Sequence, residues 1–219
     1  MDVAFSLGTS RLSVTIHSVI VAGWTGRNND AVQHHIDELA ALGIAPPSQV
    51  PLHYRVSNEL LTQSDTIEVL GEGSSGEVEP LLVQADGKLY FGLASDHTDR
   101  DLERHSVAAS KQACAKPIAD TLWDFDEIKD HLDDMTLKCW IEEGGREVLY
   151  QDGTLASIRP LTELYDGAEM VDGSAMLCGT LPAIGGVRPA QKYRMEVGDP
   201  TSGKTIAMTY DVRTLPIIA

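Results

Sequence analysis

The sequence predicts a mixed α+β fold dominated by a β-roll or barrel with short helices around it, and three observations carry that expectation. Short runs rich in β-branched and apolar residues recur from Tyr54 onward, among them DTIEVL, GEVEPLLV, KLYFGLAS, TLKCWIEE, EVLYQ, SAMLCGT, QKYRMEV and TIAMTYDV, separated by Gly, Asp and Ser turns. The opening VAFSLGTSRLSVTIHSVIVAGW alternates in the same manner and reads as two strands with a turn near Gly8 to Arg11. Between these blocks Val32, Ile36 and Leu39 repeat at helical spacing, with Asp30 and Gln33 as an N-terminal capping box and Gly43 as a terminator. The polar face of that helix carries His35 and Glu38.

Three prolines in IAPPSQVPLHY forbid regular hydrogen bonding and predict an extended, fixed connection. A second helical stretch is expected over Asp99 to Ala109 and a short one in DFDEIKDHL.

Composition sets the bounds. The chain has 219 residues, of which 42% are hydrophobic, enough for one domain with its own core. Cys114, Cys139 and Cys178 are widely spaced and form no CxxC pair, so they read as buried reduced thiols. The start MDVAFSLGTSRLSV has no basic run before an apolar segment, and no apolar stretch reaches the ~18 residues of a membrane span, so a soluble cytoplasmic protein is expected. A net charge of −16 repels phosphate backbones and argues against nucleic acid as a partner; it favours divalent cations.

Four segments can carry chemistry. Side chains alternate along a strand, so Glu77 and Glu79 in GEVEPLLV point the same way. On a solvated face water screens their repulsion, whereas on a concave or buried face a hard cation such as Mg²⁺, Mn²⁺ or Ca²⁺ keeps both ionised. SDHTDRDLER is dense in charge; there Ser95 or Asp96 can cap a helix, or Asp96, ending an apolar strand, can present its carboxylate at the mouth of a β structure. His35 and Glu38, three apart on a helix, suit a general base and its orienting acid, while His34 meets Glu38 at an equally good spacing of four. The glycines of CGTLPAIGG allow backbone amides to approach a ligand.

In chain order these pieces resemble the fumarylacetoacetate hydrolase superfamily, in particular its short bacterial members. The counterparts of its motifs are GRNN with HIDE, PSQVPLHYR, GEVE, SDHTDRDLE, SKQACAKP, YQDGT and CGTLPAIGG, from about Gly26 to Gly186. The resemblance implies a β-roll with a helical lid, organised as one catalytic domain over 1–219, with N-terminal strands and lid helix in 1–55 and the roll carrying the metal site in 56–219. It makes Glu77, Glu79 and Asp96 ligands of Mg²⁺ or Mn²⁺, with Ca²⁺ as a substitute in vitro. It makes His35 with Glu38 the water-positioning dyad, and Lys111, with Lys116 as the alternative, a cation beside the substrate. Gln151, Gly179 and Thr180 fall where the family contacts substrate, and Arg27 or Arg100 is placed to pair with a substrate carboxylate.

The activity implied is hydrolysis of a C–C bond in a dicarbonyl or acylpyruvate-type 2-oxo acid through a metal-bound enolate, in a homodimer. Decarboxylation, dehydration or tautomerisation of an oxo acid in the same site, or non-catalytic small-molecule binding, are the alternatives. The chain departs from the family pattern in Asn28-Asn29, in a wider gap before the HxxE, in a shorter interval between the ExE and the third carboxylate, and in Leu181 within the CGTLP loop.

Overall fold

The computed structural model describes residues 1–41 and 45–218; the side chains of His35 and Leu39 are not described, and the predicted terminator Gly43 lies outside the described residues. The first half runs β1 (Asp2–Leu7), β2 (Ser10–Thr15), β3 (Ser18–Gly23), α1 (Asn29–Ala41), β4 (Leu52–Val56), β5 (Leu61–Thr62), β6 (Thr66–Leu70), β7 (Ser74–Ser75), β8 (Val78–Ala85) and β9 (Lys88–Ser95). There follow β10 (Thr98–Asp99), α2 (Arg100–Glu103), α3 (Val107–Gln112), β11 (Lys116–Pro117), β12 (Trp123–Asp124) and α4 (Phe125–Ile128). The chain ends with β13 (Thr136–Glu143), β14 (Arg146–Thr154), α5 (Leu161–Ala168), β15 (Ser174–Leu177), β16 (Lys192–Asp199) and β17 (Lys204–Leu215).

Two larger sheets hold these strands, in the orders β12-β9-β8-β15-β3-β4 and β14-β13-β16-β17-β6. Strand β8 explains how they pack. All eight of its residues are buried, as expected of a strand covered on both faces. Val78 and Leu82 join a core with Leu137, Cys139, Ile141, Met195 and Val197 of the five-stranded sheet. Leu81, Val83 and Ala85, on the opposite face, join a second core with Val3, Phe5 and Val14 of the β1–β2 hairpin. The six-stranded sheet is therefore a central layer between the second sheet and the hairpin. Because β3 pairs with β15 in parallel, the N-terminal strands share a sheet with segments more than a hundred residues away.

The opening hairpin and its turn at Gly8 are present, but the opening segment expected as two strands forms three, since β3 leaves the hairpin to join the six-stranded sheet. Two expectations about helices are corrected. Helix α1 is capped by Asn28, whose Oδ1 accepts the Ala31 N–H at 3.1 Å, so Asp30 lies inside the first turn; Gln33 reaches forward to Asp37 Oδ1 (2.9 Å) rather than back to a cap. The stretch Asp99 to Ala109 is two helices. Asp99 caps α2 through the amides of Asp101 and Leu102, both 3.0 Å, while Ser106 breaks away with an extended backbone and caps α3 at Ala109 (3.2 Å). A serine hydroxyl that satisfies a new set of free amides outweighs helical continuity.

Leu82 is fully buried at the contact between the two sheets. Leu82→Ala should cost about 2–5 kcal/mol of unfolding free energy, read as a lower urea midpoint without a change of slope.

Candidate metal centre

Strands β8 and β9 are antiparallel, with Val78 opposite Ser95 and Glu79 opposite Ala94. Extending that register by one residue sets Glu77 against Asp96, and the Asp96 N–H donates to the Glu77 carbonyl at 3.0 Å. Glu79 follows Glu77 on the same face because the side-chain period of a strand is two. The three carboxylates offer one oxygen each within 4.8 Å of one another. Ligands on opposite sides of a hard cation stand about 4–5 Å apart, so this all-oxygen set fits a divalent ion.

Like charges this close and this buried need compensation. Lys111, near the end of α3, hydrogen-bonds Asp96 Oδ2. Lys116 on β11 is fully buried, donates to the His97 carbonyl at 2.5 Å, and holds its Nζ 3.1 Å from Asp96 Oδ1. Asp96 Oδ1 is thus already faced by one buried ammonium, and Asp96 is neutralised on both oxygens by lysines. Arg100 bridges Glu77 (2.9 Å) and Glu103 (2.9 Å) and donates from Nε to Ser75 (2.7 Å). Gly179 donates its N–H to Glu79 Oε2 at 2.7 Å; with φ at +96° and Thr25 packed where a side chain would go, only glycine suits this position.

The acids divide electrostatically. Burial, reinforced by Asp96, pushes the Glu79 carboxyl well above its ordinary range, and burial raises Glu77 against the opposing pull of Arg100 and Lys111. Burial alone would raise Asp96 too, but the two lysines outweigh it and hold that carboxyl well below the usual range. Burial would lower Lys111, yet Asp96, Glu77 and Glu79 overcome it and keep the ammonium charged.

The sequence of a family described as "Protein of unknown function (DUF2848)" matches residues 22–210, most of the chain and all of this centre. The chain belongs to the DUF2848 family. No curated protein matches it by sequence. Among solved structures it is similar to a candidate fumarylpyruvate hydrolase from Burkholderia cenocepacia, at 16% identity over 99% of this chain and 96% of the other, TM-score 0.63. It is also similar to maleylpyruvate hydrolase from Sphingobium sp. SYK-6, at 13% identity over 94% and 76% of the two chains, TM-score 0.60. A 2-keto-3-deoxy-D-arabinonate dehydratase complexed with magnesium and 2,5-dioxopentanoate matches at 14% identity over 95% and 78%, TM-score 0.63. This DUF2848 member thus has the fold of the fumarylacetoacetate hydrolase superfamily, as the motif order implied.

Other predicted site residues take varied positions in the DUF2848 chain. Gln151 is fully buried and its amide is fully engaged: Oε1 accepts from Val78 N (2.9 Å), and Nε2 donates to Thr180 Oγ1 (2.8 Å) and the Leu181 carbonyl (2.6 Å). Thr180 in turn donates to the Val78 carbonyl at 2.7 Å, so this pair ties the 178–183 loop to β8 between Glu77 and Glu79. Arg27 forms a bidentate pair with Asp133 (2.6 and 2.7 Å) and donates to the Ile158 carbonyl (2.7 Å). The His35 side chain lies outside the described residues; His34 Nε2 stands 3.4 Å from Glu38.

Behind Asp96 lies a network that sequence reasoning missed. His97 is fully buried, with Nδ1 3.0 Å from the Tyr210 hydroxyl and Nε2 3.0 Å from Ser74 Oγ; Tyr210 also meets Ser95 Oγ at 2.8 Å and stacks on Tyr193. Burial, then Lys116 and Arg100, push the His97 imidazole down to about 3, so it is a neutral bridge. Its partners lie 23 residues away at Ser74 and 113 away at Tyr210, and no local pattern marks them.

Burial raises the Glu79 and Glu77 carboxyls, so a divalent cation that takes them as ligands competes there with protons. Affinity for Mg²⁺ should therefore rise with pH until both are ionised. Calorimetry in two buffers of different ionisation enthalpy should register proton release on binding, and Ala at Glu77, Glu79 or Asp96 should weaken binding markedly.

Proposed function

We propose that this chain is a divalent-metal-dependent hydrolase that cleaves the C–C bond of an acylpyruvate-type 2-oxo acid. The observation that carries the reading is the trio of Glu77, Glu79 and Asp96, the last two buried, with Lys111 bonded to the third carboxylate, in a fold shared with enzymes named for oxo-acid substrates. Mg²⁺ or Mn²⁺ would be held by those three carboxylates, and when bound supplies Lewis-acid polarisation of a chelated oxo acid.

The chain's own groups do the rest. Lys111, kept charged by the acids around it, faces the negative charge that develops on the oxo-acid half as the bond breaks. A base on α1, His35 oriented by Glu38, takes a proton from water while the water oxygen attacks the distal acyl carbonyl. The bonding pair leaves with the pyruvate half as an enolate, which regains a proton at carbon, giving a carboxylic acid and a 2-oxo acid. Arg100 holds Glu77, and Gln151 with Thr180 holds the loop that delivers the Gly179 amide to Glu79. Mn²⁺ as the alternative metal, a homodimer, a cytoplasmic location and one catalytic domain over 1–219 belong to the same proposal. Among the described residues no helix is long and apolar enough to cross a membrane.

The test is an assay on acylpyruvates and oxaloacetate that follows acid release and carbon dioxide separately. Wild type should cleave acylpyruvates. His35→Ala should lose about 10²- to 10⁴-fold in turnover with metal affinity retained, and Lys111→Ala should impair every reaction of the site. A wild type that only decarboxylates, or only dehydrates a 2-keto-3-deoxy acid, assigns the site to those reactions. If His34→Ala, not His35→Ala, removes activity, the base is His34, which lies 3.4 Å from Glu38.

A further inference from the structure

Two aromatic side chains beside the acidic cluster have no part in the mechanism above. Tyr54 lies on β4 opposite Val21 of β3, and its ring leans over the end of β3, where a side chain on Gly23 would come within 2.8 Å of Tyr54 Cε2. The glycine makes room for the ring. The Tyr54 hydroxyl accepts a hydrogen bond from the Trp24 indole N–H at 3.2 Å. Lys111 Nζ, which bonds Asp96, stands over the Tyr54 ring 5.8 Å from its centroid.

Trp24 holds φ at +61°, in the left-handed region. For a bulky residue that conformation is strained, persists only where its surroundings over-determine it, and is concentrated at ligand sites. Both aromatic residues are half-buried, so each keeps some exposed surface. The Tyr54 ring therefore borders the centre through Lys111, the lysine that bonds Asp96.

We propose that Tyr54, held in place by Trp24, is the specificity-determining wall for the acyl end of the substrate, favouring a planar aromatic or unsaturated group over a short alkyl one. This rests on the metal-centre reading above. Stacking of a planar group on an aromatic ring, with the area it buries, corresponds to a preference of about tenfold.

The experiment is calorimetric titration of the Mg²⁺-loaded full chain with phenylpyruvate and with pyruvate, which share an oxo-acid head and contain no cleavable dicarbonyl. Wild type should bind phenylpyruvate about tenfold more tightly. Tyr54→Leu should bring the ratio close to one through loss of phenylpyruvate affinity, and Tyr54→Phe, which keeps the ring, should retain most of the preference. A ratio unchanged in Tyr54→Leu, an equal fall in both affinities, or a wild type without preference would overturn the assignment. The metal reading is scored separately by Glu79→Gln and by chelator. If these leave both affinities intact while Tyr54→Leu still abolishes the ratio, the metal reading fails and the aromatic wall stands.

Discussion

The repulsion among Glu77, Glu79 and Asp96 is the constraint around which the centre is built. The antiparallel register of β8 and β9 sets two of these acids opposite each other and the third one pleat away, with Glu79 and Asp96 buried and Glu77 partly so. Every neighbour answers that constraint. Lys111 and Lys116 arrive on Asp96 from α3 and β11, Arg100 reaches Glu77 from α2, and the Gly179 amide meets Glu79 from the loop after β15. The helix break at Ser106 belongs to the same arrangement, because it gives α2 and α3 separate starts, one carrying Arg100 and the other Lys111.

The compensation is uneven, and the unevenness is informative. Asp96 is surrounded by cations and stays ionised, while Glu77 and Glu79 are left with a leaning toward protonation. A group of acids that resists ionisation on its own has room for one more positive charge. The neutral His97–Tyr210–Ser95 network behind Asp96 adds rigidity without adding charge, and it joins the five-stranded sheet to the floor of the centre.

Much of this was legible in the sequence where the physics is local. Strand alternation alone put Glu77 and Glu79 on one face, apolar runs located the strands, and motif order located Asp96 and Lys111. What was not legible depends on which groups the folded backbone brings together. Arg27 and Arg100, expected to pair with a substrate carboxylate, also hold protein acids within 3 Å: Asp133 for the first, Glu77 and Glu103 for the second. Gln151, expected to contact substrate, has its amide engaged by Val78, Thr180 and Leu181. The cap of α1 moved from Asp30 to Asn28 because the two residues offer similar cap chemistry two positions apart, and only the backbone decides between them. Tyr54 and Trp24 carried no signal at all, since a strained φ and a ring over a glycine are invisible until the chain is folded.

The central claim is that one divalent cation sits among the three carboxylates, and a crystal soaked in Mn²⁺ and oxalate tests it most directly. The account predicts a single strong anomalous peak about 2.0–2.4 Å from oxygens of Glu77, Glu79 and Asp96, with Lys111 still beside Asp96. No peak there, or manganese bound only at other acidic surface groups, would contradict it.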